Sequence, residues 1–126
     1  MLIVYLSLTG NVRSFVKRTE LDSVEISYSD PLFEVHESFV LIAPSYDDDI
    51  TDIISSFIDH KNNREYLIGF VGSGNLNFDH NYCFNARDLA QKYQKPLLFT
   101  FEFSGTDGDV IYFKKEVNQL ASTGIK

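Results

Sequence analysis

The sequence predicts an α/β fold: a doubly wound five-stranded parallel sheet in the order 2-1-3-4-5, with helices on both faces. Three observations carry this expectation. The apolar runs Leu2–Leu6, Phe39–Ala43 and Leu67–Val71 are continuous rather than alternating, as strands buried on both faces should be. Helical stripes follow most strands, giving the order βα, β, βα, βα, βα. Right-handed crossovers then leave few ways to wind such a series.

Leu2–Leu6 reads as a buried strand ended by the turn Ser7-Leu8-Thr9-Gly10-Asn11. Val12, Phe15 and Val16 follow at helical spacing, with Arg13, Lys17 and Arg18 on other faces. Ser23–Tyr28 sets Val24, Ile26 and Tyr28 against polar partners, which suits an edge strand. Ser29–Glu37 holds Pro31 and carries no helical stripe, so an irregular crossover must join the second strand to the third. Phe39–Ala43 is stopped by Pro44-Ser45-Tyr46, and Ile50, Ile53, Ile54, Phe57 and Ile58 then form one apolar helix stripe. Leu67–Val71 is closed by Gly72-Ser73-Gly74-Asn75. A helix from around His80–Tyr82 to about Tyr93 carries Phe84, Leu89 and Ala90, and Lys95-Pro96 ends it. Leu97–Phe103 is the last strand. Thr106 and Asp109 have capping-box spacing, with Asp in place of the usual Glu. Val110, Phe113, Val117 and Leu120 carry the last stripe.

Composition narrows the class. The 126 residues, 44% hydrophobic and 23% charged, suit one globular domain over 1–126 with a core of its own. There is no repeat, low-complexity stretch or linker. One cysteine, Cys83, excludes a disulfide scaffold; it reads as a small buried hydrophobe. No apolar run reaches the ~18 residues of a membrane span. Met1-Leu2-Ile3-Val4-Tyr5 lacks a basic leader, so a cytoplasmic protein is expected. Eleven Lys+Arg against 18 Asp+Glu give a net charge of −7, which argues against nucleic acid as a partner. A small anion held by backbone N–H groups remains compatible with that charge.

In open α/β sheets, ligands bind outside the carboxyl ends of the strands at the switch point, here between strands one and three. Three loops reach it. Ser7-Leu8-Thr9-Gly10-Asn11-Val12 puts two hydroxyls, a glycine and an amide between a strand and a helix, an anion site by its free N–H groups and dipole. Its spacing is neither GxGxxG nor GxxxxGK[ST]. The plainer alternative is that Thr9 or Asn11 merely caps the helix. Ser45-Tyr46-Asp47-Asp48-Asp49 offers an aromatic cover for a flat ligand; adjacent carboxylates converge poorly on a metal, and no metal site is expected. In the plainer reading, the last Asp or Thr51 caps the next helix. Residues 72–82 form a long βα loop in which Gly72, Gly74 and the asparagines Asn75, Asn77 and Asn81 can present backbone groups, while Phe78 and Tyr82 can flank a ring. His36, His60 and His80 have no zinc spacing, and no catalytic triad is assignable. A receiver-type phosphoacceptor on this topology needs an acidic cluster after strand one and a Lys after strand five. Here strand one ends in Ser7-Leu8-Thr9, and Lys95 precedes the last strand.

These motifs resemble a known family. Ser7-Leu8-Thr9-Gly10-Asn11-Val12 resembles the flavodoxin phosphate loop [ST]-x-T-G-N-[TV]. Pro44-Ser45-Tyr46, Gly72-Ser73-Gly74-Asn75 with Asn77-Phe78, and Phe101-Glu102-Phe103-Ser104-Gly105-Thr106 together resemble the NrdI family. These are small flavodoxins of the class Ib ribonucleotide reductase system. The resemblance implies a flavodoxin-like fold and one noncovalent FMN. It implies that the reduced protein reacts with dioxygen to give a superoxide-type oxidant. That oxidant would serve assembly of the dimanganese-tyrosyl radical cofactor in the reductase small subunit, with a flavodoxin or flavin reductase as electron donor. Ser7, Leu8, Thr9, Gly10, Asn11 and Val12 would hold the phosphate. Ser45, Tyr46 and Asp47 would lie along the flavin, and Ser73, Gly74, Asn75, Asn77, Phe78 and Tyr82 would line its other side. Such a protein is a redox accessory without a catalytic acid or base of its own. A general flavodoxin carrier with another partner is the alternative. Two departures bear on redox tuning. Many members have glycines where this chain has Asp47-Asp48-Asp49, and a glycine where it has Asp79.

Overall fold

In the computed structural model, which describes residues 1–46, 48–75 and 83–122 (for Asp48 the backbone only), the strands run β1 Leu2–Tyr5, β2 Ser23–Glu25, β3 Phe39–Pro44, β4 Leu67–Gly74 and β5 Leu97–Glu102. The helices are α1 Asn11–Thr19, α2 Asp48–Ile58, α3 Asn63–Tyr66, α4 Phe84–Tyr93 and α5 Asp107–Ser122. All strand pairs are parallel and the sheet order is β2-β1-β3-β4-β5, as the sequence predicts. None of the helices among the described residues is long and apolar enough to cross a membrane.

The alternation of strand side chains builds two cores. Ile3, Tyr5, Val40 and Ile42 meet Val12, Phe15 and Val16 of α1 and Val110, Phe113 and Val117 of α5. Val4, Leu41 and Ala43 meet Ile50, Ile54, Phe57 and Ile58 of α2 and Ala86 and Leu89 of α4. Both sheet faces are therefore covered, which is why the strands read as unbroken apolar runs. Phe15 stacks on Phe101 with ring centroids 4.0 Å apart and meets Phe113 edge-on at 5.4 Å, tying α1 to β5 and α5.

Several boundaries differ from the sequence reading, each for a local reason. β2 stops at Glu25: Ile26 still donates to Tyr5 O at 2.7 Å and is buried, but the chain then turns, with Asp30 N–H on Ser27 O. The expected Val24–Ile26–Tyr28 face does not form, since Val24 and Tyr28 stay exposed. β4 runs on through Gly74, because Gly72 and Ser73 pair with Ala43 and Pro44 of β3 and with Thr100 and Phe101 of β5. Gly72 permits this by close approach: a Cβ there would lie 2.8 Å from Cys83 Cβ and 2.9 Å from Ala86 Cβ. α4 starts at Phe84, not near 80–82, with buried Cys83 as a left-handed N-cap. The short helix α3 was not expected. Thr51 lies inside α2 instead of capping it. β5 ends at Glu102, and Phe103 leaves it with φ 52°. The irregular 29–37 crossover and the Thr106–Asp109 box form as expected. Thr106 N–H bonds Asp109 Oδ2 at 2.9 Å, and Asp109 N–H bonds Thr106 Oγ1 at 3.1 Å.

Candidate functional site

The carboxyl ends of β1, β3, β4 and β5 surround one cavity of about 520 Å³, within the usual range for small-molecule sites. It lies at the switch point between β1 and β3. After β1, Ser7, Leu8, Thr9, Asn11 and Val12 line it. After β3 come Pro44, Ser45 and Tyr46, and from the end of β4 Ser73, Gly74 and Asn75. Phe84 and Phe103 complete the wall. Gly10 shapes the first turn instead of the wall. Asp47, Asn77, Phe78 and Tyr82, all expected near the ligand, lie outside the described residues, as does His80.

The turn after β1 keeps its donors available. Gly10 is the N-cap of α1 with φ 91°, a left-handed conformation that glycine adopts without Cβ strain. Neither Thr9 nor Asn11 caps the helix. Instead Ser7, three residues before the N-cap, accepts the Arg13 N–H on Oγ at 3.2 Å. The first intrahelical bond runs from Ser14 N–H to Gly10 O at 2.9 Å. The N–H groups of Gly10, Asn11 and Val12 thus have no intrahelical partner, and two of these residues line the cavity at the positive end of a helix dipole.

The opposite rim is assembled from distant segments. Ser45 Oγ donates to Ser73 O at 2.7 Å. Ser73 Oγ donates in turn to Phe103 O at 2.7 Å, and Phe103 N–H reaches Gly74 O at 3.0 Å. Tyr46 N–H donates to Asn85 Oδ1 at 2.9 Å, while Asn85 Nδ2 donates to Thr51 Oγ1 at 3.0 Å. Asn85 is fully buried and fixes the loop after β3 to α4. Tyr46 and Phe103 remain 64% and 51% exposed, two aromatic residues at the margin of one cavity.

Beneath the first turn, Arg13 Nε and Nη2 grip Glu25 Oε1 and Oε2 at 2.8 and 2.6 Å. The Arg13 hydrogen bond holds the Glu25 carboxyl below its ordinary range. Burial, reinforced by the Glu25 charge, pushes the Tyr5 hydroxyl up. The cation beside the first turn is therefore already paired. An anion there would be held mainly by neutral donors.

Sequence reading missed Asn85, Phe84 and Phe103 as site residues. A signal for Asn85 existed: it lies four residues before Leu89, so the spacing that buries Leu89 also buries an amide, which then needs partners. Phe103 reads as the natural end of an apolar strand; its one signal is its place in the Phe101–Thr106 motif, which assigns it no contact.

The NrdI flavodoxin-like family model matches residues 3–115. The chain belongs to this NrdI flavodoxin-like family. Among solved structures, it is similar to a short-chain flavodoxin associated with a non-canonical PDU bacterial microcompartment. That match has a TM-score of 0.63 at 16% identity and covers 97% of this chain and 96% of that one, a likeness of fold. Flavodoxin-like membership implies flavin binding, typically of FMN. The residues of this NrdI-family chain fit such a group: free N–H groups and hydroxyls suit a phosphate, and exposed aromatics on the far rim suit a flat ring.

Proposed function

We propose that this NrdI-family protein binds one FMN noncovalently and, once reduced, supplies a superoxide-type oxidant for assembly of the dimanganese-tyrosyl radical cofactor of a class Ib ribonucleotide reductase small subunit. The observation that carries the cofactor assignment is the turn after β1. Its helix-start N–H groups, without an intrahelical acceptor, border a cavity that is also lined by aromatic residues. When bound, FMN would supply the electron chemistry, with a flavodoxin or flavin reductase as donor and dioxygen as acceptor. The protein supplies position and field. Gly10, Asn11 and Val12 offer backbone donors to the phosphate, and Ser7 and Thr9 add hydroxyls. Ser45, Tyr46, Asp47, Ser73, Gly74, Asn75, Asn77, Phe78 and Tyr82 are the proposed contacts along the ring. None of these steps needs a side-chain acid or base.

The test begins with colour. The native protein should show bands near ~375 and ~450 nm that denaturation releases, and the apoprotein should bind FMN at micromolar levels but riboflavin far more weakly. The reduced protein should consume dioxygen and form a complex with a class Ib small subunit. A colourless protein that refuses FMN ends the cofactor reading. A flavoprotein that ignores the small subunit leaves a general flavodoxin carrier.

A further inference from the structure

Five non-glycine residues among those described have positive φ: Glu20, Lys61, Cys83, Gln94 and Phe103. Glu20 and Gln94 are helix C-caps, where a left-handed residue closes the helix; Cys83 is buried at the start of α4, and Lys61 is a polar residue in the turn between α2 and α3. Phe103 differs. It is a bulky aromatic that follows a strand, where positive φ is a genuine outlier, and its ring gains little from burial because 51% of the residue is exposed. Strained backbone that neither packing nor a helix end requires points to function. The surrounding bonds over-determine it. Phe103 is held through N–H by Gly74 O and through O by Ser73 Oγ, and the turn is closed by Gly105 N–H on Glu102 O at 2.8 Å.

One further group holds that turn from outside the site. Arg18, near the end of α1, donates through Nη2 to Ser104 O and to Gly105 O (2.9 Å for the latter), and through Nη1 to Asp107 Oδ1 at 3.2 Å. Its Nε is buried without a hydrogen-bond partner among the described residues. The guanidinium thus fixes two carbonyls of the Phe103 turn while leaving one of its own donors unsatisfied.

We infer that Phe103 is a ring-contact residue of the cofactor site, placing its aromatic face against the bound flavin, and that Arg18 is the positioning residue that holds it there. This rests on the FMN reading above. It adds a wall contributed by β5, beyond the turns after β1, β3 and β4.

The decisive variant is Phe103→Gly, because glycine accepts the positive φ. The apoprotein should keep or raise its Tm. The Kd for FMN should rise about tenfold, the loss of one aromatic contact, and the fluorescence of bound flavin should recover in part. Phe103→Tyr should keep its Kd within about twofold of the original. Arg18→Ala, or Arg18→Lys should the alanine variant fail to fold, should weaken FMN binding in the parent and have no effect in the Phe103→Gly background. A Kd unchanged in Phe103→Gly overturns the inference while leaving the cofactor reading intact. An equal loss from Arg18 substitution in both backgrounds removes the positioning role. A parent protein that binds no FMN defeats the cofactor reading and this inference together.

Discussion

The two sides of the cavity are built on different principles. The turn after β1 is local: six consecutive residues supply the glycine, the hydroxyls and the helix-start N–H groups, and Ser7 within the same stretch accepts the Arg13 N–H. The far rim is non-local. Tyr46 is fixed by Asn85, Ser45 by Ser73, and Phe103 by Ser73 and Gly74. A local site survives changes elsewhere but fails when its own backbone is altered. A non-local rim fails when any of several remote partners is lost.

The sharpest way to break that contrast is Gly10→Val. A β-branched residue at φ 91° should cost about 1–3 kcal/mol and abolish FMN binding, read by denaturation and by flavin titration. Loss of binding with unchanged stability would show that the turn is less strained than its geometry indicates. Asn85→Ala acts on the other side. It leaves the Tyr46 N–H without its acceptor, at about 1–3 kcal/mol. Because Asn85 does not line the cavity, FMN binding should weaken without being lost, and riboflavin, which has no phosphate, should lose the same fraction of its affinity. A larger loss for FMN than for riboflavin would mean that the two sides are not separate.

The same contrast decides what was legible in the sequence. The sheet order follows from the chain-wide series of apolar runs and helical stripes with right-handed winding, and the irregular 29–37 crossover and the Thr106–Asp109 box from patterns a few residues long. So does the turn after β1, although its N-cap is Gly10 and the side chain that accepts a helix N–H is Ser7, not Thr9 or Asn11. On the far rim the lining residues Ser45, Tyr46, Ser73, Gly74 and Asn75 were legible, but not the bonds that hold them. Gly72-Ser73-Gly74 looks like a turn, yet it is strand, because pairing on both sides of β4 overrides the local preference for bends. Asn85 and Phe103 gain their roles from partners 39 and 30 residues away, a separation at which periodicity is silent. The α4 start shifts because Cys83, read only as apolar filler, takes the left-handed cap against Gly72.

A charge substitution sharpens the comparison on the Tyr46 side. Asp47 and Asp48 follow a cavity-lining residue in a chain of net charge −7. Reduction adds negative charge to a bound flavin, so carboxylates beside it disfavour the reduced form. At an effective dielectric of ~20, two charges ~8 Å apart interact by roughly 2 kcal/mol before salt screening. Asp47→Gly with Asp48→Gly should therefore raise the potential for full reduction, and the rise should shrink at high salt. A potential that does not move in a redox titration refutes the charge argument.

The smallest expected effect concerns the Tyr5–Glu25–Arg13 group under the local turn. The Tyr5 hydroxyl is raised first by burial and then by the Glu25 charge. A raised folded value means that its stabilisation is complete below the ordinary tyrosine pKa of about 10 and is lost as pH climbs through the folded value. Tyr5→Phe removes the titrating hydroxyl and should flatten the alkaline fall in stability, read from denaturation at pH 7 and above. Some slope should remain, because burial also raises Tyr93. Glu25 has the opposite sign. Its lowered value gives stability that is present above the ordinary carboxylate range and disappears as pH falls through the folded value. Glu25→Gln should therefore lose stability at neutral pH and show a shallower acid limb. If the first turn is self-contained, FMN affinity at neutral pH should hardly change in either variant, and a large drop would show that the local site leans on β2 after all.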